Sequence, residues 1–376
     1  MTLDRIHVET ITRLASAVAA GSDEERDTEL AETVWTEFLN PLRADGRVVL
    51  EPLDDQRRRA TPVEEAALAD RPFPTSHGVD SGTLNPTAFK NGLVVDVAHA
   101  AMAADPSDLS VHAARSVLVT VHSPNPDRDP ADQSWAPYDG GSSRRVLAVP
   151  RDRRLASETV HRLALALAES HHARKNLDSV EDLLYLDGPL YPKQLLDWVN
   201  RDRDRRRIAY GETVGEAVEN YVRLVEACLD RGVPLVGFVK NPTSGFVVST
   251  LASQDTQTPF QTDTGLYTRV LEPHDEGRDR LTFTSWFRSR GGPDAPLATD
   301  GDALGVERRR DPADYEVTFM LVYDPRTDVV FKAEAPYGVT RDPETRDALT
   351  TQIVSEVAAN AGPPTPVAKA DELARI

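Results

Sequence analysis

The residues best suited to chemistry in this chain are carboxylates at the ends of short apolar runs. Val79 leads into Asp80, with Ser81 and Gly82 next. Residues 182–187 (DLLYLD) end in Asp187, followed at once by Gly188 and Pro189. A strand-end aspartate followed by small residues can bring a divalent cation close to the backbone. Both patterns have an ordinary alternative, since Asp-Ser-Gly is turn chemistry and Asp-Gly a hairpin signal. If the two strands are neighbours in one sheet, their carboxylates emerge at the same edge. Glu169 lies on the helix predicted just before the second strand, and Asp371 on the last predicted helix. Mn²⁺ and Mg²⁺ are hard cations that prefer oxygen ligands. Four carboxylates from two strands and two helices could hold two such ions about 3.5–4 Å apart, activating a water and stabilising the leaving oxygen in phosphodiester cleavage. In so acidic a chain, strand-end aspartates also arise by chance.

Apolar periodicity predicts the elements that must carry these groups. Ile11, Leu14, Ala15 and Val18 share one face of an N-terminal helix that Gly21 stops, and a second helix is expected over about 23–38. These helices could be a docking arm or dimer element, or pack on the main domain. Residues 43–74 are charged and proline-punctuated and read as a connector. Strands are expected at 78–80, 93–98 and 116–122, with a helix start as an alternative over 98–104. Residues 124–143 read as an exposed loop. A helix follows over 154–175, with Val160, Leu163, Ala164 and Leu167 on one face, and another over 211–232. The apolar run 233–239 suits a buried parallel strand. Beyond it, helices are expected over 263–271, 343–359 and 366–375, strands over 281–287, 315–323 and 329–333, and a loop over 291–305. The order implies an α/β domain, a mixed sheet flanked by helices, over residues 77–376. An N-terminal helical arm and connector occupy residues 1–76.

Composition narrows the setting. The chain has 376 residues, 40% of them hydrophobic, which allows a sizeable core and excludes general disorder. Asp and Glu number 61 against 43 Lys and Arg, a formal net charge of −18, and the basic residues are mostly arginine. Such a surface suits concentrated salt, where a Debye length of about 3 Å at 1 M screens self-repulsion. The expectation is a halophile's cytoplasm, so the acidic balance reflects solvent rather than a basic partner. Cys228 is the only cysteine, which excludes an internal disulfide and a thiolate zinc cluster. The apolar runs are shorter than the ~20 residues that span a bilayer, and the N-terminus lacks a signal-peptide pattern. A soluble intracellular protein without a membrane partner is expected.

Several pieces, in order, resemble the archaeal NurA nucleases: Val79-Asp80-Ser81-Gly82, then Tyr185-Leu186-Asp187-Gly188-Pro189-Leu190, then residues 232–240 (GVPLVGFVK). Asp263 before a short helix, Glu334-Ala335-Pro336 and the closing segment 364–374 continue the series. The resemblance implies a ribonuclease H-like fold in which Asp80, Glu169 and Asp187 bind metal and Lys240 lies near the scissile phosphate. It further implies 5′-to-3′ exonuclease and single-strand endonuclease activity on DNA ends in break repair, a homodimer, and a hexameric HerA-type translocase as partner. Many relatives close with a tyrosine and then Ala-His, where this chain has Pro363 and Ala370-Asp371. An aspartate can still bind Mn²⁺ or Mg²⁺, so a four-carboxylate set can survive, but a histidine's proton-transfer role does not carry over. That departure keeps a non-enzymatic adaptor open as an alternative, and the residues do not separate DNA from RNA.

The remaining features have bland readings. The arginine clusters 57–59, 201–207 and 308–310 could contact nucleic-acid backbone, but interleaved aspartates in the second favour surface ion pairs. Trp286 with Arg288 and Arg290 could stack on bases, though such a tryptophan is more often core. His171 and His172 are expected to face solvent, and His99, His112 and His122 lack metal-ligand spacing. Gly140-Gly141-Ser142-Ser143 has no following Gly-Lys-Ser/Thr, so ATP-driven work would fall to a partner.

Overall fold

The structure, a computed structural model, describes residues 24–375 except 255, 257 and 273–278. The helix expected over 11–21 lies outside them. Labels are given to the strands and to the helices of nine residues or more. Helix α1 (Glu24–Thr33) comes first, followed by β1 (Leu42–Ala44), β2 (Arg47–Pro52), β3 (Arg58–Pro62), β4 (Ser76–Thr83), β5 (Thr87–Ala88), β6 (Val94–Asp105) and β7 (Ser116–His122). Then come β8 (Ala136–Tyr138), β9 (Ser142–Ala148), α2 (Ala156–Lys175), β10 (Leu184–Asp187), α3 (Glu212–Arg231), β11 (Leu235–Val239) and α4 (Asp263–Leu271). The chain closes with β12 (Arg280–Thr284), β13 (Phe287–Ser289), β14 (Val317–Asp324), β15 (Val329–Pro336), α5 (Pro343–Asn360) and α6 (Thr365–Ala374).

Local chemistry accounts for the long helices. In α2 the predicted apolar stripe is buried, and Glu158 in the first turn with Arg174 and Lys175 in the last match the helix dipole. Gly232 ends α3 at φ 67°, a left-handed position that favours glycine. Asp342 caps α5 by accepting from the Thr345 N–H, with Pro343 in the first turn.

The strands form one mixed sheet whose centre runs β7-β6-β4-β10-β11. Strand β6 is antiparallel to β4 and β7, while β4, β10 and β11 are mutually parallel. This is the expected ribonuclease H-like arrangement, with β15 and β14 continuing antiparallel beyond β11. Helices α2 and α3 cover one face, burying Val79, Leu163, Leu167, Leu184, Leu186 and Val225. Helices α5 and α6 cover the other, against Tyr185, Val236, Phe238 and Ile353. A third cluster joins α1 and α4 to β2 and β14.

Four local expectations need correction. Asp80 does not end its strand: β4 runs on through Ser81 and Gly82 to Thr83, paired throughout with β6. Small residues there serve close helix packing rather than a turn. Residues 98–104 are strand, not a helix start, because both faces of β6 are covered and its alanines fit between α2 and α6. Residues 43–74 supply β2 and β3, which pair with β13 and β12, so their charged side chains mark an edge rather than a linker. The loop 124–143 is interrupted by β8 and the start of β9. Among the described residues, no helix is long and apolar enough to cross a membrane.

Candidate metal centre

Parallel pairing brings the two predicted aspartates together. Leu186 of β10 is paired with Val79 of β4, so Asp187 and Asp80 stand side by side one step further along. Asp371 reaches the same point from α6. One carboxylate oxygen from each of Asp80, Asp187 and Asp371 lies within 4.8 Å of the others.

Glycines decide how closely α6 approaches. A Cβ at Gly78 would sit 2.5 Å from the Pro366 carbonyl, and one at Gly82 2.1 Å from the Ala374 oxygen. The helix therefore lies directly on the β4 backbone on both sides of Asp80, which carries Asp371 to the carboxylate pair. On the other flank, a Cβ at Gly237 of β11 would meet the Leu190 N–H at 2.4 Å. That glycine lets the chain leaving Asp187 cross over β11. Gly188 itself adopts φ 142° and donates to the Phe238 carbonyl at 3.0 Å.

Lys240, one residue past β11, donates to Asp187 Oδ2 at 2.6 Å and to Asp371 Oδ2 at 3.3 Å. Arg375 adds a contact to Asp371 at 3.3 Å. Glu169 stands apart from the three clustered carboxylates, on the α2 face of the sheet. It is half-buried, and Tyr221 of α3 donates to its Oε1 at 2.9 Å. Glu181 and Asp182 fall at the opposite end of the strand, where Asp182 accepts from Thr75.

The electrostatics suit a cation. Burial pushes the Asp80 carboxyl up to about 7, with Asp187 and Asp371 adding to the rise against the Ser81 N–H and Lys240. Asp187 is also raised by burial, despite its contact with Lys240. Glu169 stands well above its ordinary value through burial and the nearby Asp80. Burial acts upward on Asp371 too, but Lys240 and Arg375 outweigh it and hold that carboxyl low. Asp80, Asp187 and Asp371 thus share Lys240, with Arg375 on Asp371 alone, and Glu169 adds a fourth acid nearby, a donor set of hard oxygens with negative charge to spare. The residues fit a divalent metal.

This has a consequence for stability without metal. Folded Asp80 keeps its proton up to about pH 7, whereas the unfolded chain releases it near the ordinary 3.8. Between those values the folded state binds more protons, so metal-free stability should fall as pH rises. Melting curves in molar KCl with a chelator should show a declining melting temperature from pH 5 to 8. Adding Mn²⁺ should restore it most at the alkaline end.

Other expectations divide. Trp286 is core, with its Nε1 donating to Thr350. Arg288 and Arg290 both pair with Glu316. In the second arginine cluster, Arg205 bridges Asp202 and Glu158. Arg58 pairs with Glu32, and Arg310 with Asp230 and Asp314. His171 and His172 do not face solvent. His171 stacks on Trp135 with ring centroids 3.7 Å apart, and buried His172 meets the Ser116 hydroxyl at 2.9 Å. Helix α2 is covered along that flank by β9 and the Trp135 loop, which the sequence had not placed there.

Among solved structures, the chain is similar to the NurA nuclease from Sulfolobus solfataricus, at 11% identity over 99% of this chain and 92% of that one, with TM-score 0.49. It is also similar to NurA with manganese (11% identity, 98% and 95% covered, TM-score 0.44) and to NurA bound to dAMP and manganese (11%, 98% and 93%, 0.44). No curated protein matches the sequence. Residues 74–376 match the family described as the NurA domain, which spans most of the chain. The chain belongs to the NurA family.

Proposed function

We propose that the protein is a metal-dependent DNA nuclease. The observation that carries this reading is the convergence of Asp80, Asp187 and Asp371 on one point of the sheet, opposed chiefly by Lys240. Family membership supports nuclease activity. Asp80, Asp187 and Asp371, with Glu169 behind them, would hold Mn²⁺ or Mg²⁺, two ions in the full reading. When bound, the ions would polarise a phosphodiester and lower the pKa of an attacking water. Lys240 keeps Asp187 and Asp371 aligned and supplies positive charge toward a developing phosphate charge. Tyr221 fixes the orientation of Glu169.

The fuller reading is a 5′-to-3′ exonuclease and single-strand endonuclease that processes DNA ends in double-strand-break repair. It acts as a homodimer with a HerA-type hexameric ATPase, in the cytoplasm of a halophile. Any ATP-driven work would fall to that partner, and the net charge of −18 supports the saline setting.

The test uses purified protein in molar KCl with Mn²⁺ and labelled single-stranded DNA or RNA, beside Asp80→Ala and Asp187→Ala. Cleavage of DNA by the wild type alone is expected. Equal cleavage by all three proteins would remove the metal assignment, and cleavage of RNA only would redirect the substrate. At about 0.1 M salt, where screening is weaker, activity should be lost together with the folded circular-dichroism signal. Asp371→Ala should weaken Mn²⁺ half-saturation by about tenfold or more, and full retained activity would remove Asp371 from the site.

A further inference from the structure

A second pairing of acid and base lies between the neighbouring strand β6 and helix α2, outside the carboxylate cluster. Asp96 of β6 points beneath α2 with its side chain fully buried. Its Oδ1 accepts from the Val97 N–H at 2.8 Å, and its Oδ2 lies 2.9 Å from His161 Nδ1. The Thr83 hydroxyl, at the end of β4, is 3.4 Å from the same Nδ1. No hydrogen bond engages His161 Nε2 among the described residues, and the side chain is 35% exposed. A buried carboxylate without a charged partner is costly, and the imidazole is the group placed to relieve it. The geometry directs Nδ1 inward, to Asp96, and Nε2 outward.

The position matters as much as the pairing. Contacts from Ser81 Oγ to the Leu165 carbonyl (3.3 Å) and from Thr83 to His161 set β4 and α2 in a fixed antiparallel register. Moving from Asp80 to Thr83 is about 10 Å of strand, and from Glu169 to His161 about 12 Å of helix, in the same direction. His161 thus stands beyond the metal centre, too far for the reacting phosphate and suited to a neighbouring one. We infer that His161, held by Asp96, is a substrate-binding residue that donates from Nε2 to a backbone phosphate flanking the scissile one on single-stranded nucleic acid. The inference rests on the nuclease reading above.

The test compares wild type, His161→Gln, His161→Lys and Asp96→Asn in molar KCl. KM and kcat for labelled single-stranded DNA, Mn²⁺ half-saturation and melting temperature are measured for each. Loss of one charge-assisted contact in His161→Gln should raise KM about tenfold, with kcat at saturation and Mn²⁺ half-saturation unchanged. The salt dependence of DNA binding should also lose about one phosphate contact's worth of slope. His161→Lys, which keeps a donor at this position, should stay close to wild type, and Asp96→Asn should shift KM upward. An unchanged KM in His161→Gln overturns the inference while the nuclease reading stands. So does a parallel fall of melting temperature and kcat in all three variants, which would mark a structural pin for α2. If the wild type neither binds nor cleaves nucleic acid, the nuclease reading fails first and this inference falls with it.

Discussion

Asp80→Asn should abolish Mn²⁺-dependent cleavage, by about 10³-fold or more, and at the same time make the metal-free protein more stable at pH 8. The two effects have one cause. Asp80 is packed in β4 between Asp187 and the helix that carries Asp371, so its charge is opposed by burial and by both neighbours. At pH 8 the metal-free fold must hold that charge, and asparagine removes it while keeping the shape. The metal-free melting temperature should rise by a few degrees at pH 8. At pH 5 folded Asp80 carries a proton that the unfolded chain has already released, so the gain should be smaller, and it should vanish only below the ordinary 3.8. The stabilising effect of Mn²⁺ should shrink in the variant, because a ligand is lost. Equal metal-free melting temperatures at both pH values would show that Asp80 is not under electrostatic stress. The site would then need a different charge arrangement.

Gly82→Ala should damage the metal centre without touching a carboxylate. The added Cβ would lie 2.1 Å from the Ala374 oxygen, a backbone atom that cannot swing aside. Helix α6 must lift, and Asp371 lifts with it. Overpacking of this kind costs about 1–3 kcal/mol or more. The expected readouts are a lower melting temperature, faster amide exchange in α6 and a Mn²⁺ titration shifted to higher concentration. Gly215→Ala is the control: no atom outside its own helix lies within 4 Å of that Cβ. It sits in α3, where alanine should stabilise by up to about 1 kcal/mol. If Gly82→Ala leaves Mn²⁺ half-saturation unchanged despite the loss of stability, the docking of α6 does not set the position of Asp371.

Helices α2 and α3 were legible because their determinants are local. An apolar stripe at helical spacing, a stop at Gly232 and charges matched to the dipole all lie within one segment. The buried run 233–239 was equally plain, since a strand covered on both faces needs no alternation. Strand β6 was harder. Its run of alanines suits a helix as well as a strand, and only cover from two sides selects the latter. Residues 43–74 misled for a related reason: edge strands carry charge and proline, and so resemble a connector.

The carboxylates show where local reading stops. Residue type and local pattern marked Asp80, Asp187 and Asp371 as candidates, because acids that follow apolar runs or lie on predicted helices are recognisable before any fold is known. Their meeting depends on the parallel register of β4 with β10, which joins residues more than a hundred positions apart. It depends equally on Gly78 and Gly82, whose missing side chains let α6 rest on the strand. Ser-Gly after Asp80 signals a turn in sequence terms, and only the helix above it shows that the glycine makes room. The same holds for Glu169, set behind the cluster by Tyr221, and for the Asp96–His161 pair. Composition and periodicity select elements because they act over a few residues. Register and close approach select a site because they act between segments that the chain brings together only when it folds.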